Sequence, residues 1–332
     1  MPPSEEIILY HYTFSPYAKR VVWYLNLRRI PYTQCLQPPI LPRPSLKALG
    51  TSYRRIPILS IGKDIYNDTR LILQKLNEFY PSSERYPGIS SEGLGGGVEK
   101  LLEFWTVNGL FARAAALIPK DLPLSKDEKF RKDREDFSGR KWDAEAAERN
   151  RTEALVEIRN AFELMETTIL ADGRDWLAGG EKPGMADIEA VWPFHWLTTL
   201  PGALPPPLVS PTQYPKVFAW ISRFDASTRS AAKSLGKPKT IKGDEAISIT
   251  QKAGFAEEEE LRVDELDPSG LKRGEWVEVW PTDSGSKHKD CGRLVGLSAR
   301  EVVVETEGGV RGVRVHAPRG GFRVRRVEGG KL

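Results

Sequence analysis

An α/β unit followed by an all-helical domain and a small β-barrel is the architecture that this 332-residue sequence predicts. Three observations lead to it. Apolar strands alternate with amphipathic helices over residues 7–80, helical periodicity without strands runs from about residue 98 to Gly236, and short glycine-separated β segments fill the chain after Gly274. The length alone favours two or three domains over a single core.

IILYHY, Ile7 to Tyr12, is β-branched, aromatic and aliphatic, as a buried strand requires. In FSPYAKRVV the chain then turns. Ser15 falls at an N-cap, Pro16 takes the first helical position, where a missing N–H costs nothing, and Ala18, Val21, Val22 and Leu25 share one helical face. QPPILPRP, Gln37 to Pro44, is a loop leading to a short helix, and IPILSI is a strand entered through Pro57. A proline there sits at a sheet edge or follows a cis bond, and the flanking pattern favours cis. IYNDTRLILQKLNEFYP supplies a strand end, a helix capped by Asp68 with Ile72, Leu76 and Phe79 on one face, and a proline stop. These elements define a first domain, residues 1–81.

SSERYPGISSEGLGGG is polar and glycine-rich and separates that unit from a helical domain, residues 98–236. A charged insertion around residues 120–151, dense in both signs, reads as a solvated helical excursion. Residues 237–265 read as a linker. EWVEVWP, CGRLVGL, REVVVET, VRGVRVHAP and GFRVRRV then predict a small SH3-like or OB-like barrel over residues 266–332. This tail lacks a nucleophile–base pair of its own, so it is expected to fold separately and to leave chemistry to the first 236 residues.

Composition narrows the function. The net charge of +4 lies wholly in the tail, where 13 Lys/Arg face 9 Asp/Glu, against 36 of each before Leu266. Arginines alternating with valines suit an exposed barrel face. Nucleic acid is not the favoured partner, because the surplus is modest and stacking aromatics are limited to Trp276, Trp280 and Phe322. Two cysteines, Cys35 and Cys291, and four histidines make neither a disulfide framework nor a metal knuckle, so no metal is expected and a reducing compartment fits. No apolar run reaches membrane-spanning length and MPPSEE is no signal peptide; the expectation is a cytoplasmic protein without a membrane partner.

The order α/β unit then helices, with three motifs in the first unit, resembles the cytosolic glutathione S-transferases. FSPYAKRVV is similar to their catalytic turn, with Ser15 where tau-type members have serine and omega-type members cysteine. RRIPIL is similar to the cis-proline segment of thioredoxin-like folds, and NDTRLI to the acidic-hydroxyl pair at a helix N-terminus. The segment LAGGEKPGMADIEAVW resembles the cap of that fold's buried helix, with Gly184 where the family usually has Ser or Thr and Asp187 retained. Insertion and tail together resemble a fungal glutathione-transferase-like group with a C-terminal extension.

The resemblance implies a thioredoxin-like domain, a glutathione-transferase helical domain, and glutathione as co-substrate. Ser15 would serve the thiol. Arg55, Ile56, Pro57, Asp68 and Thr69 would bind the tripeptide, with Arg54 and Lys47 as rivals of Arg55 for its glycyl carboxylate. Phe14, Tyr17, Trp105, Phe111 and Trp192 would line a pocket for an apolar electrophile, although aromatics at helical spacing are also ordinary core. Ser15 and Asp68 are equally good as plain caps. Tyr12 and Tyr17 are rival hydroxyls, and His195 suits an interior position better than a base. The implied reaction is thiolate addition or glutathione-assisted isomerisation. A non-catalytic glutathione-binding or scaffold protein and a nucleic-acid-associated protein are the alternatives, and a homodimer stays open.

Overall fold

The computed structural model describes residues 3–119, 123–257, 261–307, 309–310 and 312–327. Its first unit runs β1 (Ile7–His11), α1 (Pro16–Leu27), β2 (Thr33–Leu36), α2 (Pro44–Ala48), β3 (Ile58–Ile61), β4 (Asp64–Asn67) and α3 (Thr69–Phe79). β1 lies parallel to β2 and antiparallel to β3, and β3 antiparallel to β4. The Ile56–Pro57 bond is cis, as expected.

The helical domain follows as α4 (Gly93–Trp105), a π-helical turn at Thr106–Leu110, α5 (Phe111–Ala116), α6 (Pro123–Lys126), α7 (Glu128–Ser138), α8 (Ala144–Leu164), a second π-helical turn, α9 (Met185–Thr198) and α10 (Pro215–Leu235). Every residue of α9 from Met185 to His195 is buried, which is why its apolar residues show no one-sided pattern. Gly184 caps it. A Cβ there would stand 3.1 Å from the Ile89 carbonyl, which accepts from the Met185 N–H, so a close backbone approach displaces the usual hydroxyl side chain. Asp187 keeps the reciprocal half of the cap, accepting from the N–H of Gly184 at 2.9 Å, and also accepts from the Leu177 N–H and Trp220 Nε1.

Residues 237–265, read from sequence as a linker, hold β5 (Lys239–Ile241), parallel to β2, and α11 (Gly243–Lys252), which packs on α2. Five tail strands follow, as predicted: β6 (Trp276–Pro281), β7 (Asp290–Leu297), β8 (Glu301–Thr306), β9 (Val313–Pro318) and β10 (Phe322–Arg326). They form an antiparallel meander with β10 returning to β6. The expected closed barrel does not form. Strand order is β10-β6-β7-β8-β9-β4-β3-β1-β2-β5, one ten-stranded sheet with β10 and β5 at its ends. The reason is edge satisfaction: β4 and β9 each have an unpaired edge, and they meet in parallel with Ile65 opposite Val315 and Tyr66 opposite His316.

Strand alternation assigns the two faces. Ile7, Leu9, Leu59, Ile61 and Tyr66 join α1, α3 and the helical domain in one core. Ile8, Tyr10, Cys35, Ile58 and Ile65 point the other way, into a second core with Leu46 and Leu49, Ala246 of α11 and the tail valines. The tail therefore shares with the α2 segment and α11 a second apolar core on that face of the first unit. Among the described residues no helix is long and apolar enough to cross a membrane.

A buried charge network pins the β4–β9 seam. His316 is fully buried; Nε2 lies 2.8 Å from Asp64 and Nδ1 2.5 Å from Glu301. Lys75 of α3 reaches Glu257 at 2.6 Å and Glu301 at 2.8 Å. Glu257, Glu301 and His316 have the spacing of a metal site, but the Lys75 ammonium sits on both carboxylates and supplies the positive charge. Burial alone would lower the His316 pKa; the hydrogen bonds and charges of Asp64 and Glu301 override it and raise it to about 9. A pKa raised on folding means stabilisation that is complete below the ordinary value near 6.5 and is lost as pH climbs through about 9. The wild-type protein should lose about 3 kcal/mol relative to His316→Gln between pH 6.5 and 9.5, read from denaturant midpoints across that range. Parallel pH profiles of the two proteins would show that the imidazolium does not hold the seam.

Candidate functional site

The sheet register places Tyr12–Ser15, at the exit of β1, beside Ile56–Pro57, at the entry of β3, and Asp68–Thr69, at the exit of β4. Two helices, α1 and α3, begin there, so two sets of unsatisfied N–H groups face one end of the sheet and favour an anion. Ser15 Oγ accepts from the Ala18 N–H at 3.2 Å, which leaves its proton to donate. Asp68 caps α3 with φ 71° and ψ 134°, a conformation that costs a non-glycine residue about 1–3 kcal/mol and marks an over-determined position.

The neighbours of Asp68 take up its charge. Its carboxylate accepts from the Arg70 backbone N–H at 3.0 Å and from the Arg70 guanidinium at 2.9 and 3.1 Å. Burial opposes ionisation, but Arg70, with Arg55 behind it, holds the carboxyl below the ordinary range. Arg70 in turn lies against Gly321 of the tail, where φ is 77° and a Cβ would stand 3.1 Å from the guanidinium. Thr69 Oγ1 accepts from Arg20 at 2.6 Å, and the other guanidinium nitrogen of Arg20 pairs with Glu189 of α9, both side chains being buried. The Arg20 guanidinium also lies 5.3 Å from the Trp192 ring centre. Burial raises the pKa of Glu189.

The tail borders this site, contrary to the expected division of labour. Asp290, at the start of β7, accepts from the Ser52 N–H at 2.5 Å, the Tyr53 N–H at 3.3 Å, Thr51 Oγ1 at 3.1 Å and Asn67 Nδ2 at 2.9 Å. It thus fixes both the loop before Pro57 and the strand end before Asp68, and burial pushes its pKa up to about 6. Arg55 pairs with Asp283 and donates from Nε to the Ser284 carbonyl at 3.0 Å. Arg54, the rival cation, is buried against Asp133 at 2.8 Å and pairs with Asp136, both of α7. Asp136 meets His288 at 2.6 Å, and the Gly285 N–H donates to the Phe137 carbonyl at 2.7 Å. The charged insertion is therefore no solvated excursion at α7: one face clasps the first unit and the β6–β7 turn together.

The expected aromatic pocket divides. Tyr17, Phe111 and Trp192 stack on one another at 4.7–4.9 Å between ring centres, and Trp192 is fully buried with Nε1 donating to Thr106. Burial raises the Tyr17 pKa well above its ordinary value, which counts against that hydroxyl as a thiol partner. Trp105 packs on Phe194 instead. Of the five expected residues only Phe14 reaches the open groove between the β1–α1 turn and the end of α9, a space of about 320 Å³ lined by Thr13, Phe14, Lys19, Trp196, Thr199 and Leu200. Lys19 and Thr199 carry no sequence signal of a site, since each fits an ordinary helix surface. His195 is buried with Nε2 3.2 Å from Asp225, an interior histidine as expected.

Residues 9–84 match the family model of the glutathione S-transferase N-terminal domain, and residues 113–233 match a domain of unknown function (DUF7962). No curated protein matches the chain significantly. A GST-like protein from Pseudomonas syringae superposes with a TM-score of 0.70 at 25% identity, covering 97% of this chain and 100% of that one, a span that takes in the C-terminal strands. A glutathione S-transferase from Sinorhizobium meliloti 1021 superposes at 0.52 with 18% identity over 68% of this chain and 91% of its own. Human glutathione-S-transferase T1-1 does so at 0.50 with 17% identity over 74% and 95%. Together the N-terminal match and the structural neighbours support the glutathione S-transferase superfamily: a thioredoxin-fold domain, a helical domain, and here a further β region.

The Arg20–Glu189 pair joins the two domains beneath the site. Arg20→Met should destabilise the protein by about 3–5 kcal/mol, because it leaves a buried carboxylate without its cation, and Arg20→Met with Glu189→Leu should recover most of the loss. Thermal and denaturant unfolding of the three proteins checks this; a single variant as stable as the wild type would remove the pair from the account.

Proposed function

We propose that the protein binds glutathione at the end of the sheet where α1 and α3 begin, with Ser15 donating to the sulfur, and adds the thiolate to a small electrophile held in the groove beside Phe14. One observation carries this: Ser15, the cis-Pro57 segment and the Asp68–Thr69 helix start converge at two helix N-termini. The Ile56 backbone would pair with the cysteinyl part of the tripeptide, Asp68 and Thr69 would hold its γ-glutamyl end, and Arg55 its glycyl carboxylate. A free thiol with a pKa near 8.5 is only a few per cent ionised at pH 7. A hydrogen bond to the charged sulfur, ~1.5–3 kcal/mol, and the α1 dipole, ~0.3–1 kcal/mol, lower it to roughly 5.5–7. The sulfur then forms its bond to the electrophilic carbon, while a leaving anion departs or a proton from water completes the addition.

Access is the cost. Ser15 is 2% exposed and Arg55 already holds Asp283, so an incoming carboxylate must displace the aspartate. That closure favours, as a second reading, a binding protein that has kept the fold without turnover. Nucleic-acid association draws less support, because Arg319, Arg326 and Lys289 of the tail pair internally with Asp267, Glu275 and Glu278. A homodimer would have a surface to bury, since α4 exposes Leu94, Val98, Leu101 and Phe104.

Ser15→Ala should lower conjugation of a chlorodinitrobenzene-type electrophile roughly ten- to hundredfold with glutathione affinity nearly unchanged, and should shed about 1 kcal/mol of cap stability. Full activity in the folded variant would reduce Ser15 to a cap, and glutathione binding without any turnover in the wild type would favour the second reading. Asp283→Ala should tighten glutathione binding by calorimetry, at most about fivefold, since Asp283 is two-thirds exposed and such pairs contribute about 0–1 kcal/mol. Weaker binding would mean that Asp283 belongs to the site as a partner of the ligand.

A further inference from the structure

The groove between the β1–α1 turn and the end of α9 carries one positive charge, Lys19, that no ion pair among the described residues meets. Its walls are Phe14, Trp196 and Leu200, with Thr13, Thr199 and the Lys19 side chain among them. Phe14 is 53% exposed and leans on Tyr12 at 4.7 Å, while Trp196 is backed by Phe111 at 5.3 Å, so the space is flanked by flat apolar surfaces. The Thr199 hydroxyl is spent on the Trp196 carbonyl at 2.7 Å.

Lys19 is half-buried, and among the described residues no carboxylate lies within ion-pair distance of it. The nearest acidic influence is Asp225, which is already paired with Arg229 and lies 3.2 Å from His195 Nε2. Burial lowers the pKa of Lys19, and burial together with Lys19 lowers that of His195, whose imidazole is then neutral at pH 7. Asp225 acts on the ammonium from beyond ion-pair distance while accepting from Arg229, so Lys19 is partly stripped of water with no direct counter-ion among the described residues. A desolvated cation without a partner is unfavourable, and an anion that enters the groove relieves it.

We propose that this groove selects a flat, apolar molecule carrying a carboxylate, an aryl acid, with Lys19 as its counter-ion and Phe14 and Trp196 as the surfaces on which its ring lies. This deepens the proposed function by narrowing the class of second substrate, and it rests on that reading only in taking the groove as the second-substrate site. It also changes the expectation of a purely apolar electrophile: charge at one end becomes part of what is recognised.

The test uses the full-length protein without glutathione, titrated with 2-naphthoate and with its neutral isostere 2-naphthamide, and followed by calorimetry. Naphthoate should bind about ten- to hundredfold more tightly than the amide, the strength of a hydrogen bond to a charged group. Lys19→Met should abolish the difference, Lys19→Arg should retain most of it, and added salt should narrow it. Equal binding of the two probes, binding of neither, or a preference that survives Lys19→Met in a protein shown by its melt to be folded would each overturn the proposal. Glutathione titrated separately keeps the two readings apart: a preference for naphthoate without glutathione binding removes the transferase reading and leaves the aryl-acid site standing.

Discussion

The parallel pairing of β9 with β4 is the contact on which the rest of the molecule depends. A four-stranded α/β unit has an open edge at β4 and, opposite α1 and α3, a second apolar face; the tail closes the edge and, with the α2 segment and α11, completes the core on that face. Once β9 lies along β4, His316 meets Asp64, Asp290 reaches the loop before Pro57, and the β6–β7 turn arrives over Arg55. The tail functions as the far half of the first domain, separated from it in sequence by the whole helical domain.

The electrostatics of the site follow from that arrangement. Two helix N-termini and the arginines at positions 54, 55 and 70 gather positive potential at one end of the sheet. Without compensation the cluster would repel itself. Asp68 answers Arg70, Asp283 answers Arg55, and Asp133 with Asp136 answers Arg54. The four acids come from three segments, so the charge that would attract a tripeptide's carboxylates also joins the first unit, the helical insertion and the tail. Recognition and cohesion draw on the same cations.

Ser15, Pro57 and Asp68 are legible in the sequence because their signals are local: a serine before a proline at a strand end, a proline within an apolar run, and an aspartate before an amphipathic helix. The five tail strands are legible by their alternation. Their closure is misread because a strand edge carries no signature of its partner, and His316, a lone polar residue among valines, does not reveal Asp64 and Lys75. α11 is hidden by its shortness and by a mixed composition in which only Ala246 and Thr250 are fully covered, with Ile247 and Ile249 partly so. Asp283 looks like an ordinary turn residue, and Asp290 like a loop acid before a strand. Lys19 is an unremarked helical lysine until α9 and Phe14 close around it. These residues share a cause: their roles come from contacts across long stretches of chain, where periodicity says nothing.

The seam between β4 and β9 also sets an order of assembly on the ribosome. Asp64 and His316 stand 252 positions apart, so the first unit emerges long before the strand that completes it. Throughout the synthesis of the helical domain and most of the tail, β4 presents an unpaired edge, and the core around Ile8, Ile58 and Ile65 lacks the tail valines that complete it. A domain that folds as a self-sufficient body closes its edges early; this one stays adhesive until β9 and the strands beside it are made. The interval between β4 and β9 in the chain is thus an interval in which the first unit can pair with the wrong strand.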